Sequence, residues 1–268
     1  MKKKYLVMAI LIIAGTALVS LAWSWYLDYK EADKSLYNIE KKEVLVVGSN
    51  MPYGVMEFFD ENNQPAGVDV DIAKALAARL GVDLRFENYN WDELFAKVKN
   101  GGIDLAMSSI SITEKRQREM LFSDSYFNAG QVVIVNSENN NLEGINSLVG
   151  KKIAVFGNST GYDEALKYTS EDLISVYVDF DSETAGRNMI ADLKSEKIDA
   201  AIIDYVLALS LIKADSEIKI VGVPFTKENY GIATRIDNVL LIKKINSILF
   251  DMEKKGELQA IKIKWAKY

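Results

Sequence analysis

Four hydroxyl side chains and a guanidinium crowd the first ten residues of the stretch MSSISITEKRQREMLFSDSYF (residues 107–127): Ser108, Ser109, Ser111, Thr113 and Arg116. An apolar run from Ile103 to Met107 leads into them. A guanidinium grips a carboxylate through two parallel hydrogen bonds, so this strand end suits a small anion. The other reading is a solvated arginine in a charged helix, since Lys115 and Arg118 flank it. A second cluster, Ser159-Thr160-Gly161, opens a helical pattern directly after a strand. Free N–H groups and the helix dipole favour an anion there, but by themselves the same residues read first as an ordinary N-cap. A third candidate, Asp204, ends the apolar run 198–203. An unpaired carboxylate is costly in such a place, so it either meets an ammonium ion or caps the helix that follows. Two anion grips and one cation grip make the charge pattern of a zwitterion. Tyr53 and Trp91 lie near the same edge and either sandwich a ligand side chain or pack in the core. Asn50 and Ser109 are polar residues at strand ends of the same lobe.

Composition narrows the chemistry. The 268 residues include no histidine and no cysteine. That excludes imidazole catalysis, thiol nucleophiles, disulfides, Cys/His metal sites and a lipid-modified N-terminal cysteine. No cofactor is expected. Residues 1–27 stand apart: Lys2 to Lys4 precede an apolar run from Tyr5 to Leu27 that ends in Trp23, Trp25 and Tyr26. Basic start, apolar length and aromatic edge imply export or insertion, with the remainder outside the cytoplasm. The segment reads as a signal peptide cleaved near Ser20-Leu21-Ala22 or as an uncleaved membrane anchor. Residues 28–42 are charged and read as a tether. The chain after residue 27 holds 29 basic and 38 acidic side chains, a charge of −9, which argues against nucleic acid as a partner.

The elements that must position these residues alternate in type. EVLVVG (43–48), VDLRFENY and IDLAM read as strands, and DVDIAKALAARLG and NWDELFAKVKNGG as helices. Asn90 is the expected cap of the second helix, and Gly81 and Gly101 the expected stops. The pattern then repeats. KKIAVFG, ISVYVDF and IDAAII read as strands around two further helices, and FAKVKNGGIDLAMSS aligns with IADLKSEKIDAAIID at a spacing of 95, which puts Ser109 on Asp204. Two such units predict two parallel-sheet lobes, with ligand at the carboxyl ends of the strands. FNAGQVVIV (127–135) and VGVPFTKENYGIATR (221–235) read as two extended crossovers and so as a hinge. The first lobe is then 43–130 plus 226–268, and the second 131–225. Asn238 is expected to cap a helix whose apolar face carries Leu241, Ile245, Ile248, Leu249 and Met252.

With these segments in order, the chain resembles the extracellular solute-binding proteins of polar amino acid ABC importers over about residues 43–266. The resemblance rests on GVDVDIAKALAARLG, NWDELFAKVKNGGIDLAMSSISITEKRQREMLFSDSYF, GKKIAVFGNSTGYDEAL, IDAAIIDY and YGIATR. It implies the type II periplasmic-binding-protein fold, two lobes with a ligand cleft between them, and a monomer serving ABC permease and ATPase subunits. By position it implies Arg116 as the clamp of the ligand α-carboxylate, helped by the backbone N–H groups of Ser111 and Thr160. Asp204 is the implied anchor of the α-ammonium, with Ser109 assisting from the other lobe. Tyr53 and Trp91 match the aromatic positions that enclose the side chain, and Ser159 and Gly161 flank Thr160. Members selecting cationic amino acids often carry an acid where this chain has Asn50. A neutral polar ligand such as glutamine or cystine is therefore the expectation. Two alternatives are an extracellular sensing domain and an enzyme resembling the cyclohexadienyl dehydratases. The latter place a catalytic glutamate where this chain has Leu207.

Overall fold

The computed structural model describes residues 16, 18–23, 33–178 and 182–266. Most of the expected signal peptide or anchor at 1–27 lies outside the described residues. Among those described, no helix is long and apolar enough to cross a membrane.

Two five-stranded sheets carry the fold, beside a short antiparallel hairpin of β2 (Phe58–Phe59) and β3 (Pro65–Ala66). The first sheet orders β4 (Asp83–Asn88), β1 (Val44–Ser49), β5 (Leu105–Ala106), β14 (Ala233–Arg235) and β6 (Met120–Phe122). The second orders β10 (Ile174–Tyr177), β9 (Ile153–Phe156), β11 (Ala200–Asp204), β8 (Gln131–Asn136) and β12 (Ile218–Val221). Within each, the expected repeat is parallel: β1 with β4 and β5, and β9 with β10 and β11. The almost continuous apolar run of β1, covered on both faces, is what a parallel strand requires. The sheets are nevertheless mixed, which corrects the reading of purely parallel lobes. β14 runs antiparallel to β5 and β6, and β8 antiparallel to β11 and β12. The reason is the crossovers, since each enters its new sheet from the far side and so runs against the repeat. The crossovers themselves pair as a small antiparallel ribbon, β7 (Phe127–Ala129) with β13 (Glu228–Tyr230), closed by an Asn128–Asn229 side-chain hydrogen bond of 2.7 Å.

The helices follow the sequence punctuation. Val68–Leu80 and Trp91–Asn100 both end in a glycine of left-handed conformation, Gly81 and Gly101, as αL caps demand. Asn90 caps the second helix, accepting from the Glu93 N–H at 2.8 Å.

The tether reading fails for residues 35–42, which form the helix Ser35–Lys42 with Ile39 fully buried in the first lobe's core. Ile39, with Leu36 packed beside it, docks the segment on the first lobe, and Asp33 ties its start to a distant helix. Its Oδ1 accepts the Ser35 N–H at 3.0 Å, and its Oδ2 accepts the Leu240 N–H. Asp33 thereby caps the helix Val239–Lys254 in place of Asn238, whose amide instead donates to Thr234 Oγ1 at 2.8 Å. The apolar face of that helix is buried as expected.

Candidate functional site

A cavity of about 380 Å³ opens between the two sheets, lined by residues of both. It gathers Asn50, Tyr53, Trp91, Ser109, Ser111 and Arg116 from one side and Ser159, Thr160 and Asp204 from the other. Gly161 does not reach it. That glycine is buried behind the lining, where an added Cβ would stand 3.1 Å from the Ile202 carbonyl oxygen and 3.3 Å from Gln131 Oε1. Its role is close approach of a helix end to β8 and β11.

Asp204 sits at the carboxyl end of β11, 7% exposed. It occupies the N-cap position of the helix Tyr205–Ala214 but makes no capping hydrogen bond. Its oxygens instead accept from the Tyr53 hydroxyl at 2.9 Å, from the Tyr230 hydroxyl and from the Gln131 amide. Burial pushes its carboxyl up to about 6, while the Tyr230 and Tyr53 hydroxyls pull the other way. Three donors hold the carboxylate, and among the described residues no cation forms an ion pair with it, which leaves it able to take an ammonium group.

Arg116 lies in a one-turn helix, Glu114–Gln117, capped by Thr113. Half-buried, it lays its guanidinium 5.4 Å from the Trp91 ring centre and 5.3 Å from that of Phe95. Such stacking fixes the planar fork. One nitrogen donates to the Ser111 carbonyl at 2.9 Å and another to the Asn158 carbonyl at 3.2 Å. The remaining N–H groups are what a carboxylate would use. Burial lowers the guanidinium's pKa, opposed by the charge of Asp204.

The floor of the first-lobe side is organised from behind. Ser108 and Ser109 both hydrogen-bond Glu57, at 3.0 and 3.2 Å, and the Ser109 N–H donates to Asp69 at 2.9 Å. The Asn50 N–H donates in turn to the Ser108 hydroxyl at 3.0 Å. Ser109 is thereby held at φ +50, a conformation serine seldom adopts. Glu57 and Asp69 are both fully buried. Burial, then the nearby Asp69 charge, raises Glu57 well above the usual carboxylate range. Burial likewise raises Asp69 to about 6. Asp69 Oδ1 has no well-formed hydrogen bond, although Tyr126 and Glu57 lie close enough to stabilise its charge.

The lobes are closed on each other at the rim. The Asn158 carbonyl accepts from Arg116 and from the Trp91 indole N–H at 3.3 Å, and the Asn158 amide donates to Asp92 at 2.7 Å. Ser159 spends its side chain on the fold, donating to the Phe156 carbonyl at 2.7 Å and capping Tyr162. Thr160 accepts from Gln131 at 3.0 Å.

Sequence reasoning missed Gln131, Tyr230, Glu57, Asp69 and Asn158. Glu57 carried a signal, an acid inside the apolar VMEFF. Tyr230, in a crossover segment, carried none.

The sequence profile of the bacterial extracellular solute-binding proteins, family 3, matches residues 45–268. The chain is similar to the L-cystine-binding protein TcyJ of Escherichia coli (strain K12), 28% identical over 97% of this chain and 92% of that protein. It is similar too to the arginine-binding extracellular protein ArtP of Bacillus subtilis (strain 168), 30% identical over 84% of this chain and 86% of that one. Among solved structures, the amino acid ABC transporter substrate-binding protein AbpA from Streptococcus pneumoniae, bound to L-arginine, matches with a TM-score of 0.77 at 26% identity. That match covers 86% of this chain and 98% of AbpA. The architecture is therefore the two-lobed type II periplasmic-binding fold.

Proposed function

The chain belongs to the bacterial extracellular solute-binding proteins, family 3, and from that premise we propose that it captures a free polar amino acid outside the cytoplasm and presents it to an ABC importer. The observation that carries this reading is one cavity holding an arginine and a three-donor carboxylate on opposite lobes. Arg116 takes the α-carboxylate with the backbone of Ser111 and Thr160, and Asp204 takes the α-ammonium. Tyr53, Trp91, Asn50 and Ser109 enclose the rest.

A neutral side chain fits best. Asp204 and Asp92 are the carboxylates lining the cavity. The first is assigned to the α-ammonium, the second is engaged by Asn158, and Asn50 offers an amide rather than a charge. Glutamine and cystine are the leading ligands. Binding favours the closed arrangement, which a permease reads. A dehydratase is disfavoured because Leu207, 5% exposed, packs in the second lobe's core and offers no proton.

The test is thermal unfolding of the protein against the common amino acids, cystine and prephenate. A ligand at a thousand times its Kd adds roughly 4 kcal/mol, about 8–16 °C in midpoint for a chain of this size. One amino acid giving that shift, lost in Arg116→Ala, supports function and site together. A shift from prephenate alone, with phenylpyruvate released, would overturn the reading.

A further inference from the structure

Asp92 is the cavity carboxylate left over once Asp204 is assigned, and something must decide whether it serves a ligand. It stands in the first turn of the helix Trp91–Asn100, where an acid is favourable with or without a further partner. It is exposed at the rim, yet it lines the cavity. Its Oδ1 accepts from the side-chain amide of Asn158 across the cleft, at 2.7 Å.

Asn158 is an unusual place for a side chain. It follows β9 and adopts φ +51, the left-handed region that glycine fills without strain and asparagine tolerates. The turn needs only a backbone. What the backbone does there is accept from Arg116 at 3.2 Å and from Trp91 at 3.3 Å. Both bonds run to the Asn158 carbonyl and would survive loss of the side chain. The amide is an addition whose one recorded partner is Asp92.

We propose that Asn158 is a specificity-determining residue: its amide occupies one oxygen of Asp92 in the closed state and so weakens Asp92 as the counter-charge of a cationic ligand side chain. This rests on the amino-acid-binding reading above and extends it to the charge of the side chain. A guanidinium or ammonium entering the distal cavity would be desolvated between Trp91, Phe156 and Val178. There it is held best by a carboxylate with both oxygens open to it. With Asn158 in place, one of the two Asp92 oxygens is taken, which weakens the bidentate grip that a cationic side chain would find there. Asn50, whose amide donates to the Tyr89 carbonyl at 2.7 Å, adds no charge.

Asn158→Gly is the informative change, because glycine keeps the left-handed turn and the carbonyl while removing the amide alone. Affinities for L-glutamine, L-cystine, L-arginine and L-lysine would be measured by calorimetry for the wild type, N158G, and N158G combined with D92N. The arginine-to-glutamine affinity ratio is expected to rise by up to about fivefold in N158G, the upper end for an ion pair near the surface, and to fall to the wild-type ratio or below when D92N is added. An unchanged ratio in N158G, or a gain that survives D92N, overturns the proposal. A wild type that already prefers arginine would overturn the neutral-ligand reading. Whether N158G raises the ratio further would still decide the role of Asn158. Binding of none of the four, nor of any other common amino acid, would remove the reading on which both rest and the proposal with it.

Discussion

Asp204 shows how a single residue is tuned by its setting. Burial raises its carboxyl to about 6, with the Tyr230 and Tyr53 hydroxyls limiting the rise. An ammonium ligand needs the ionised form, so acid competes with binding. Affinity for the ligand is expected to be flat above pH 7 and to fall as the pH drops through 6, approaching tenfold per unit below it. Calorimetric titration at pH 5, 6 and 7.5 checks this, and Asp204→Asn should abolish the pH step along with most of the affinity. At this scale much was legible. Arg116 and Asp204 were found from charge at strand ends, and both line the cavity. Gln131, which donates to Asp204 and Thr160 together, was not found, because a glutamine opening an apolar strand looks like any edge polar residue.

At the scale of elements, local signals and long-range ones parted company. Helix stops at Gly81 and Gly101 and the cap at Asn90 are decided within a few residues, and they stand where the sequence puts them. The helix Ser35–Lys42 is decided by distant partners. Ile39 enters the core of the first lobe, and Lys42 Nζ reaches Asp104 at 2.6 Å. Ile39→Ala is therefore expected to destabilise the protein by about 2–5 kcal/mol, as for other fully buried aliphatic side chains. Thermal unfolding would show a fall of several degrees. An effect within error would mean that the helix is a loose tether after all. Asn238 and Asp33 teach the same lesson, since the cap of Val239–Lys254 comes from far away in sequence.

Over the whole molecule, two lobes meet across one cleft, and the pair Glu57 and Asp69 reports on the integrity of the first. Burial, reinforced by the Asp69 charge, raises Glu57 well above its ordinary value. The folded state then holds a proton that the unfolded chain has released, so this group's contribution to stability is fullest below the unfolded pKa and is lost as pH rises. Glu57→Gln keeps a neutral side chain of similar shape and removes that loss. Urea unfolding at pH 5 and pH 8 is expected to show a smaller fall with rising pH in E57Q than in the wild type, and parallel behaviour of the two would count against a protonated Glu57. The lobes' closure, carried by Tyr53 on Asp204 and by Asn158 on Arg116, Trp91 and Asp92, belongs to this scale too.

The alternation of strands and helices, the internal repeat, the two crossovers and the charged residues at strand ends are all legible in the chain read alone. Each of these is written in short-range periodicity or in the identity of one residue. The tertiary structure decided the reversed strands β8 and β14, the docking of Ser35–Lys42, the buried acid pair behind Ser108 and Ser109, and the rim contact between Asp92 and Asn158. These are pairings of residues far apart in the chain, and a hydrogen bond across 66 positions leaves no trace in the local pattern of either end.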